Sequence, residues 1–185
     1  MARRSQPVAA SAQAQTSSRC VLGVDPGLNI TGYAVLARSA RAGSHPTIVD
    51  AGVIRTRARA SMEQRLVELH AGLCSVLDEH AVGLVACERL YAHYAHPRTA
   101  ILMGHARGVL LLAAAQRGLP CADLPSTEVK RVVSGFGHAG KGQIQRAVAA
   151  IFGLSKLPSP PDVADAIAIA LTALARADAA DTLDR

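Results

Sequence analysis

Four carboxylates stand at positions where an isolated charge is difficult to accommodate. Asp25 interrupts an apolar run in VLGVDPG, and Glu88 ends a second apolar run in GLVACE. Asp162 and Asp165 are three residues apart before the aliphatic run AIAIAL, so they share one face near the start of a helix. Because burying an unpaired charge is costly, such acids must accept hydrogen bonds or face a cation. Carboxylate oxygens are ligands that Mg²⁺ prefers, so a metal site is one interpretation.

Structural explanations compete with that interpretation. The Asp25 carboxylate would accept hydrogen bonds from the amides of Asn29 or Ile30 if the chain formed an Asx turn there. Asp162 lies three residues after Ser159, which is capping-box spacing, and an acid in a first helical turn suits the helix dipole. The residues alone leave the turn and a metal or phosphate site equally open for Asp25.

Hydrophobic periodicity predicts an α/β domain around these acids. Strands are expected at 21–24, 33–36, 47–54, 83–87 and 120–124. Helices are expected from about 61, over 99–116, 126–134 and 143–152, and from about 162. Ligands of open α/β sheets bind outside the strand ends, where two of the acids are expected. The helix over 99–116 is apolar on nearly every side, which predicts either a central position or a subunit interface.

The composition favours a nucleic-acid partner and gives no indication of a membrane protein. The formal net charge is +6, and residues 82–161 contain nine Lys or Arg against three acids. No apolar run reaches the roughly 18 residues that span a bilayer. The four cysteines are far apart, which is typical of free thiols in a reducing cytoplasm. Residues 1–18 are expected to be a disordered leader and 176–185 a flexible tail.

Basic and aromatic residues cluster between the acids. Tyr91 lies in the segment RLYAHYAHPR, a composition suited to phosphate contact and base stacking, although an ordinary loop is also possible. Lys130 lies on the helix over 126–134, and Lys141 follows the glycine-rich loop GFGHAG. That loop could hold a phosphate at a helix N-terminus, but it lacks the spacing of a P-loop. Paired divalent ions can hydrolyse a phosphodiester, so a metal-dependent nuclease is the leading hypothesis.

The motifs together resemble one known family. VLGVDPGLNITGYAVL, GVIRT, ACERLY, GHARGV, VKRVVSGFGHAGKGQIQ and DVADAIAIA occur in order over residues 20–172. They closely resemble the RuvC family of Holliday-junction resolvases, within the ribonuclease-H-like nuclease superfamily. The resemblance implies a single nuclease domain over 19–175 with a mixed five-stranded sheet flanked by helices. It also implies a homodimer that nicks two strands of a four-way DNA junction symmetrically, with a RuvA–RuvB branch-migration complex as partner.

The resemblance also assigns roles to individual residues. It implies that two Mg²⁺ ions, for which Mn²⁺ would substitute, are bound by the four carboxylates Asp25, Glu88, Asp162 and Asp165. Tyr91 matches a family aromatic that stacks on unpaired bases. Lys130 and Lys141 match lysines near the scissile phosphate, with Lys141 also expected to assist catalysis. The loop after Tyr91 departs from the common family pattern, and the leader has no family counterpart.

Two other functions compete with the nuclease hypothesis. Sugar kinases and actin-like ATPases also carry an acidic, glycine-rich first hairpin, but they need a second phosphate hairpin and an adenosine pocket, for which 185 residues are too few. The alternative is a non-catalytic nucleic-acid binding module with the same fold. Loss of one carboxylate would favour that module, whereas all four are present in this sequence.

Overall fold

The computed structural model describes residues 20–39, 45–90 and 97–183. The strands are β1 (Cys20–Asp25), β2 (Ile30–Ala37), β3 (Thr47–Arg55), β4 (Val82–Glu88) and β5 (Cys121–Leu124). The helices are α1 (Met62–Glu79), α2 (Pro97–Ala115), α3 (Ser126–Ser134), α4 (Lys141–Phe152) and α5 (Pro161–Leu183). Every predicted strand and helix is present within these ranges.

The strands form one mixed sheet in the order β3-β2-β1-β4-β5. β1, β2 and β3 make an antiparallel meander, whereas β4 and β5 continue the sheet parallel to β1. The predicted mixed five-stranded sheet flanked by helices is therefore confirmed. The carboxyl ends of β1, β4 and β5 meet at one edge of this sheet.

Helices cover both faces of the sheet and divide the core in two. On one face α5 packs across β1 and β2, with α3 and α4 beside it. On the other face α1 and α2 bury a second apolar cluster that includes Leu22, Val24 and Val85. Among the described residues, no helix is long and apolar enough to cross a membrane.

α2 spans Pro97–Ala115 rather than 99–116, and three further helix boundaries differ from the sequence-based expectation. α3 has Pro125 at its N-cap, so Ser126 is its first residue rather than its cap. α4 begins at Lys141, because the chain turns into the helix directly after Gly140. The third difference concerns the expected tail: α5 continues to Leu183, so residues 176–183 are helical.

The last turns of α5 are held to the sheet by ion pairs. Arg38 Nε lies 2.8 Å from Asp178 Oδ1, and Arg38 Nη1 lies 2.6 Å from Asp181 Oδ2. Each of these exposed ion pairs contributes little to folding stability, but together they orient the end of α5, which was expected to fray. The leader over 1–18 lies outside the described residues.

Candidate active site

The alternation of side chains along the strands points Asp25 and Glu88 toward α5. On β1, Val21 belongs to the cluster beneath α5, whereas Leu22 and Val24 belong to the opposite cluster. Asp25 therefore continues the α5 face, since strand side chains alternate with period two. Val24 pairs with the residue before Glu88 in the parallel β1–β4 ladder, so the two acids end neighbouring strands at the same edge.

Glycines in the hairpin allow α5 to approach that edge closely. Gly32 is paired with Asp25, and a Cβ on Gly32 would lie 2.1 Å from the Asp162 carbonyl oxygen. Further along β1, a Cβ on Gly23 would lie 2.4 Å from the Ala166 carbonyl oxygen. The first turns of α5 thus lie directly on the hairpin, which places the third and fourth acids beside Asp25.

Asp25, Glu88, Asp162 and Asp165 share one electrostatic environment, and we call them the acidic cluster. Burial raises the pKa of Asp25 to about 7, and repulsion from Asp165, Glu88 and Asp162 adds to the shift. Burial likewise raises the pKa of Glu88, with a further contribution from Asp165. The pKa of Asp165 is also raised, by burial first and then by Asp162. The cluster is therefore short of positive charge.

Two lysines partly compensate for that charge. Lys141 Nζ lies 3.9 Å from Asp165 Oδ2 and opposes the pKa shifts of Asp25, Glu88 and Asp165. Lys130 lowers the pKa of Glu88 and Asp165 from the side of α3. Six of the seven residues singled out from the sequence are thus brought together. The seventh, Tyr91, lies outside the described residues.

The turn after Asp25 is stabilised without that carboxylate. The Thr31 hydroxyl donates to the Gly27 carbonyl at 2.6 Å and accepts from the Gly27 amide at 3.3 Å. Within the described part of the chain, no hydrogen bond joins the amides of Asn29 or Ile30 to Asp25. The Asx-turn alternative is therefore not supported, and Asp25 remains available to a ligand.

Sequence reasoning missed two contributors to the site. Ser126, which looked like a helix cap, lies beside Glu88 and lowers the pKa that burial raises. The first turns of α2 contribute Leu102 and Met103 to a cleft of about 450 Å³ whose wall also includes Asp25. Neither could be read locally, because each depends on which elements meet at the sheet edge.

The acidic cluster is not a preassembled metal centre. In the ranges that the structure describes, no three His, Cys, Asp or Glu side chains are grouped closely enough to hold an ion. The donor set nevertheless has the right chemistry, since partly buried carboxylates that repel one another are stabilised by a hard divalent cation.

Comparisons with known proteins agree on one family. The family model described as "Crossover junction endodeoxyribonuclease RuvC" matches residues 21–173. The crossover junction endodeoxyribonuclease RuvC of Rhodopirellula baltica is 52% identical over 155 residues, covering 84% of this chain and 85% of that protein. A Thermus thermophilus RuvC structure is 31% identical with a TM-score of 0.78, covering 87% of this chain and 96% of that one. The T. thermophilus RuvC complex with a Holliday junction substrate also has a TM-score of 0.78 and 31% identity, covering 86% and 94%.

Proposed function

The chain belongs to the RuvC family of crossover junction endodeoxyribonucleases, and on that premise we propose how its residues cut DNA. It is an endonuclease that resolves four-way DNA junctions, with the fold of the T. thermophilus enzyme. The acidic cluster is the catalytic centre of this proposal. The observation that carries the assignment is the convergence of four carboxylates and two lysines at one sheet edge.

We assign metal binding to the acidic cluster. Asp25, Glu88, Asp162 and Asp165 would hold Mg²⁺, with Mn²⁺ as a substitute and two ions as the expected number. A bound divalent cation would supply an activated water and stabilise charge on phosphate oxygens. The raised pKa of Asp25 supports the fit of the acidic cluster to a divalent cation. A cation would replace the proton that this carboxylate otherwise retains near neutral pH.

The lysines act on the phosphate in this proposal. The Lys141 side chain is largely exposed, and its ammonium lies 3.9 Å from the nearest Asp165 carboxylate oxygen. It can therefore turn from that carboxylate to a DNA phosphate at little energetic expense. Lys130 lies on the Glu88 side and would position the same backbone. Stacking of Tyr91 on an unpaired base near the crossover stays a prediction.

Paired incision requires two active sites, and we propose that α2 forms the homodimer interface that provides them. Leu110 and Ala113 face the core, whereas Ile101 is 60% exposed and Leu112 is 53% exposed. A shallow apolar groove runs along this outward face, and Gly104, which lines it, has nothing within 4 Å of an added Cβ. A second copy of α2 could therefore pack closely there.

The proposed partner beyond DNA is a RuvA–RuvB branch-migration complex, which would present the junction in the bacterial cytoplasm. This assignment rests on family membership. It is tested by measuring whether a preassembled RuvA–RuvB–junction complex increases the rate of resolution by this protein.

Cleavage of a synthetic four-way junction, with and without Mg²⁺, tests the catalytic assignment. Wild-type protein should release nicked duplexes only when a divalent ion is present. Asp25→Asn and Glu88→Gln should abolish cleavage but still retard the junction in a gel, because phosphate contacts supply most of the affinity. A conservative control is Asp78→Asn, which removes an exposed acid on α1 paired with Arg117. Full cleavage by either cluster variant would refute the assignment.

A further inference from the structure

The loop between α3 and α4 exposes an aromatic ring in the segment that leads to Lys141. Phe136 is 60% exposed, and its ring meets that of His138 edge to face, with centroids 5.7 Å apart. This pair lies in the segment that ends at Lys141, whose ammonium faces Asp165. Phe136 is one of only five Phe or Tyr residues in the chain, and its ring is exposed.

The loop is held in this conformation by its own hydrogen bonds. Gly135 ends α3 with φ of 75°, in the left-handed region that favours glycine. The Ser134 hydroxyl lies 3.1 Å from the Phe136 carbonyl and 2.7 Å from the Lys130 carbonyl, and accepts from the Phe136 amide at 3.3 Å. Ala139 is buried beneath the loop and donates to the Phe136 carbonyl. The ring is therefore presented on a fixed backbone, which limits the entropy lost on binding.

The segment that carries the ring is rich in positive charge, which favours a polyanion as its ligand. No Asp or Glu occurs between Glu128 and Asp162, whereas this stretch contains five Lys or Arg. Lys130 and Arg131 are on α3, and Lys141 and Arg146 are on α4. The loop that carries Phe136 connects these two helices. Aromatic rings among basic side chains bind single-stranded or distorted DNA by combining stacking with phosphate contact.

We propose that Phe136, supported by His138, is a stacking platform for a nucleobase of the strand that Lys141 holds. The base would lie on the exposed Phe136 ring, which is in edge-to-face contact with the ring of His138. The platform is on the α3–α4 loop and is therefore a different residue from Tyr91, whose stacking stays a separate prediction. This inference rests on the proposed function and names a further DNA-binding residue of the same site.

Fluorescence of 2-aminopurine tests the platform directly. A synthetic four-way junction carries the probe at successive positions of one strand around the crossover, and EDTA prevents cleavage. Wild-type protein should change the fluorescence at one or more positions because of stacking. Phe136→Ala and Phe136→Leu should abolish that change at the same position and weaken junction binding roughly 5- to 150-fold, whereas Phe136→Trp should retain both. The slope of log affinity against log salt should stay unchanged, since no charge is removed.

Val132→Ala is the matched control, because Val132 is a 43% exposed apolar residue of α3 without a ring. It should bind as wild type does. The platform is refuted if Phe136→Ala binds the junction and changes the 2-aminopurine fluorescence as wild type does. It is also refuted if Phe136→Ala changes the sedimentation of the free protein, which would mark a protein interface. Junction cleavage by wild-type protein in Mg²⁺ is scored separately, so failure of the proposed function is distinguishable from failure of the platform.

Discussion

At the scale of one residue, Asp25 shows that the site is built at a cost in folding stability. Burial and three neighbouring acids raise its pKa to about 7, so folding places a poorly solvated carboxyl among like charges. A fold selected for stability alone would have an apolar or amide side chain there. The arrangement is explained if a cation completes the site.

Stability should therefore fall as pH rises. Well below pH 3.8, the ordinary pKa, Asp25 is protonated in both the folded and the unfolded chain. Between there and pH 7 the unfolded chain releases this proton while the folded chain retains it, so the free energy of unfolding decreases. The loss contributed by Asp25 is complete above pH 7 and is at most about 4 kcal/mol.

Asp25→Asn should remove that loss. In EDTA at pH 8 its Tm should exceed that of wild type by several degrees, and the difference should shrink toward pH 4. Adding Mg²⁺ should raise the Tm of wild type more than that of the variant, because only the intact cluster gains a ligand. Asp78→Asn, which breaks an exposed ion pair with Arg117, should not stabilise the protein. A lower Tm for Asp25→Asn at pH 8 would contradict the electrostatic account.

The phosphate contact proposed for Lys141 should be detectable in the salt dependence of junction binding. Lys141→Ala should reduce the slope of log junction affinity against log salt by about one phosphate contact, and it should also slow cleavage. Lys156 is the control, because it is exposed between α4 and α5 and has no ion pair in the described ranges. Equal slopes for Lys141→Ala and Lys156→Ala would exclude a specific phosphate contact by Lys141.

At the scale of elements, the site depends on the close seating of α5 upon the β1–β2 hairpin. Gly32 makes this possible, since any Cβ there would collide with backbone of Asp162 rather than with a movable side-chain tip. α5 also packs across β1, so a displacement of its first turn would move both of its acids away from Asp25.

Gly32→Ala should therefore shift the start of α5, destabilise the protein by about 1–3 kcal/mol and abolish cleavage. Urea denaturation measures the first effect and junction cleavage the second. Gly142→Ala is the matched control: it lies in the first turn of α4, where the nearest contact is the flexible Arg146 side chain at 3.5 Å, so its stability should be unchanged or slightly higher. If Gly32→Ala were as stable and as active as wild type, close packing of α5 on the β1–β2 hairpin would be contradicted.

The sequence predicted the elements well because their signals are local. The β1–β2 hairpin, the Ser61–Gln64 capping arrangement and the apolar stripe of α1 each follow from neighbouring residues, and all are present. Ser126 was misjudged because Glu88 ends β4 and comes close to the start of α3 only through the parallel β4–β5 pairing. The C-terminal end of α5 was misjudged because Arg38, a distant residue, stabilises it.

The same limit applied to α2. Its nearly uniform apolar character predicted either a central position or a subunit interface, but it could not say which side meets the sheet. The structure places Met103 in the cleft beside Asp25 and leaves Ile101 outward, so a charge at Met103 would disturb the site rather than test the dimer.

At the scale of the whole molecule, Ile101→Asp should therefore separate the subunits. Analytical ultracentrifugation should show a wild-type dimer and a folded Ile101→Asp monomer, because a charge cannot be buried unpaired at an apolar interface. Val67→Asp is the control, since Val67 is a 69% exposed apolar residue that belongs to α1 rather than to α2. A dimeric Ile101→Asp would place the interface elsewhere.

Incision of a supercoiled plasmid that extrudes a cruciform tests the central claim most directly, because it reports both chemistry and pairing. Two coordinated cuts across the junction linearise the plasmid, whereas one cut relaxes it to a nicked circle. Wild-type protein with Mg²⁺ should yield linear plasmid within one binding event, Ile101→Asp should yield nicked circles, and Asp25→Asn should leave the plasmid supercoiled. Linear product from Asp25→Asn, or nicked circles alone from dimeric wild-type protein, would contradict a junction resolvase that acts through the acidic cluster.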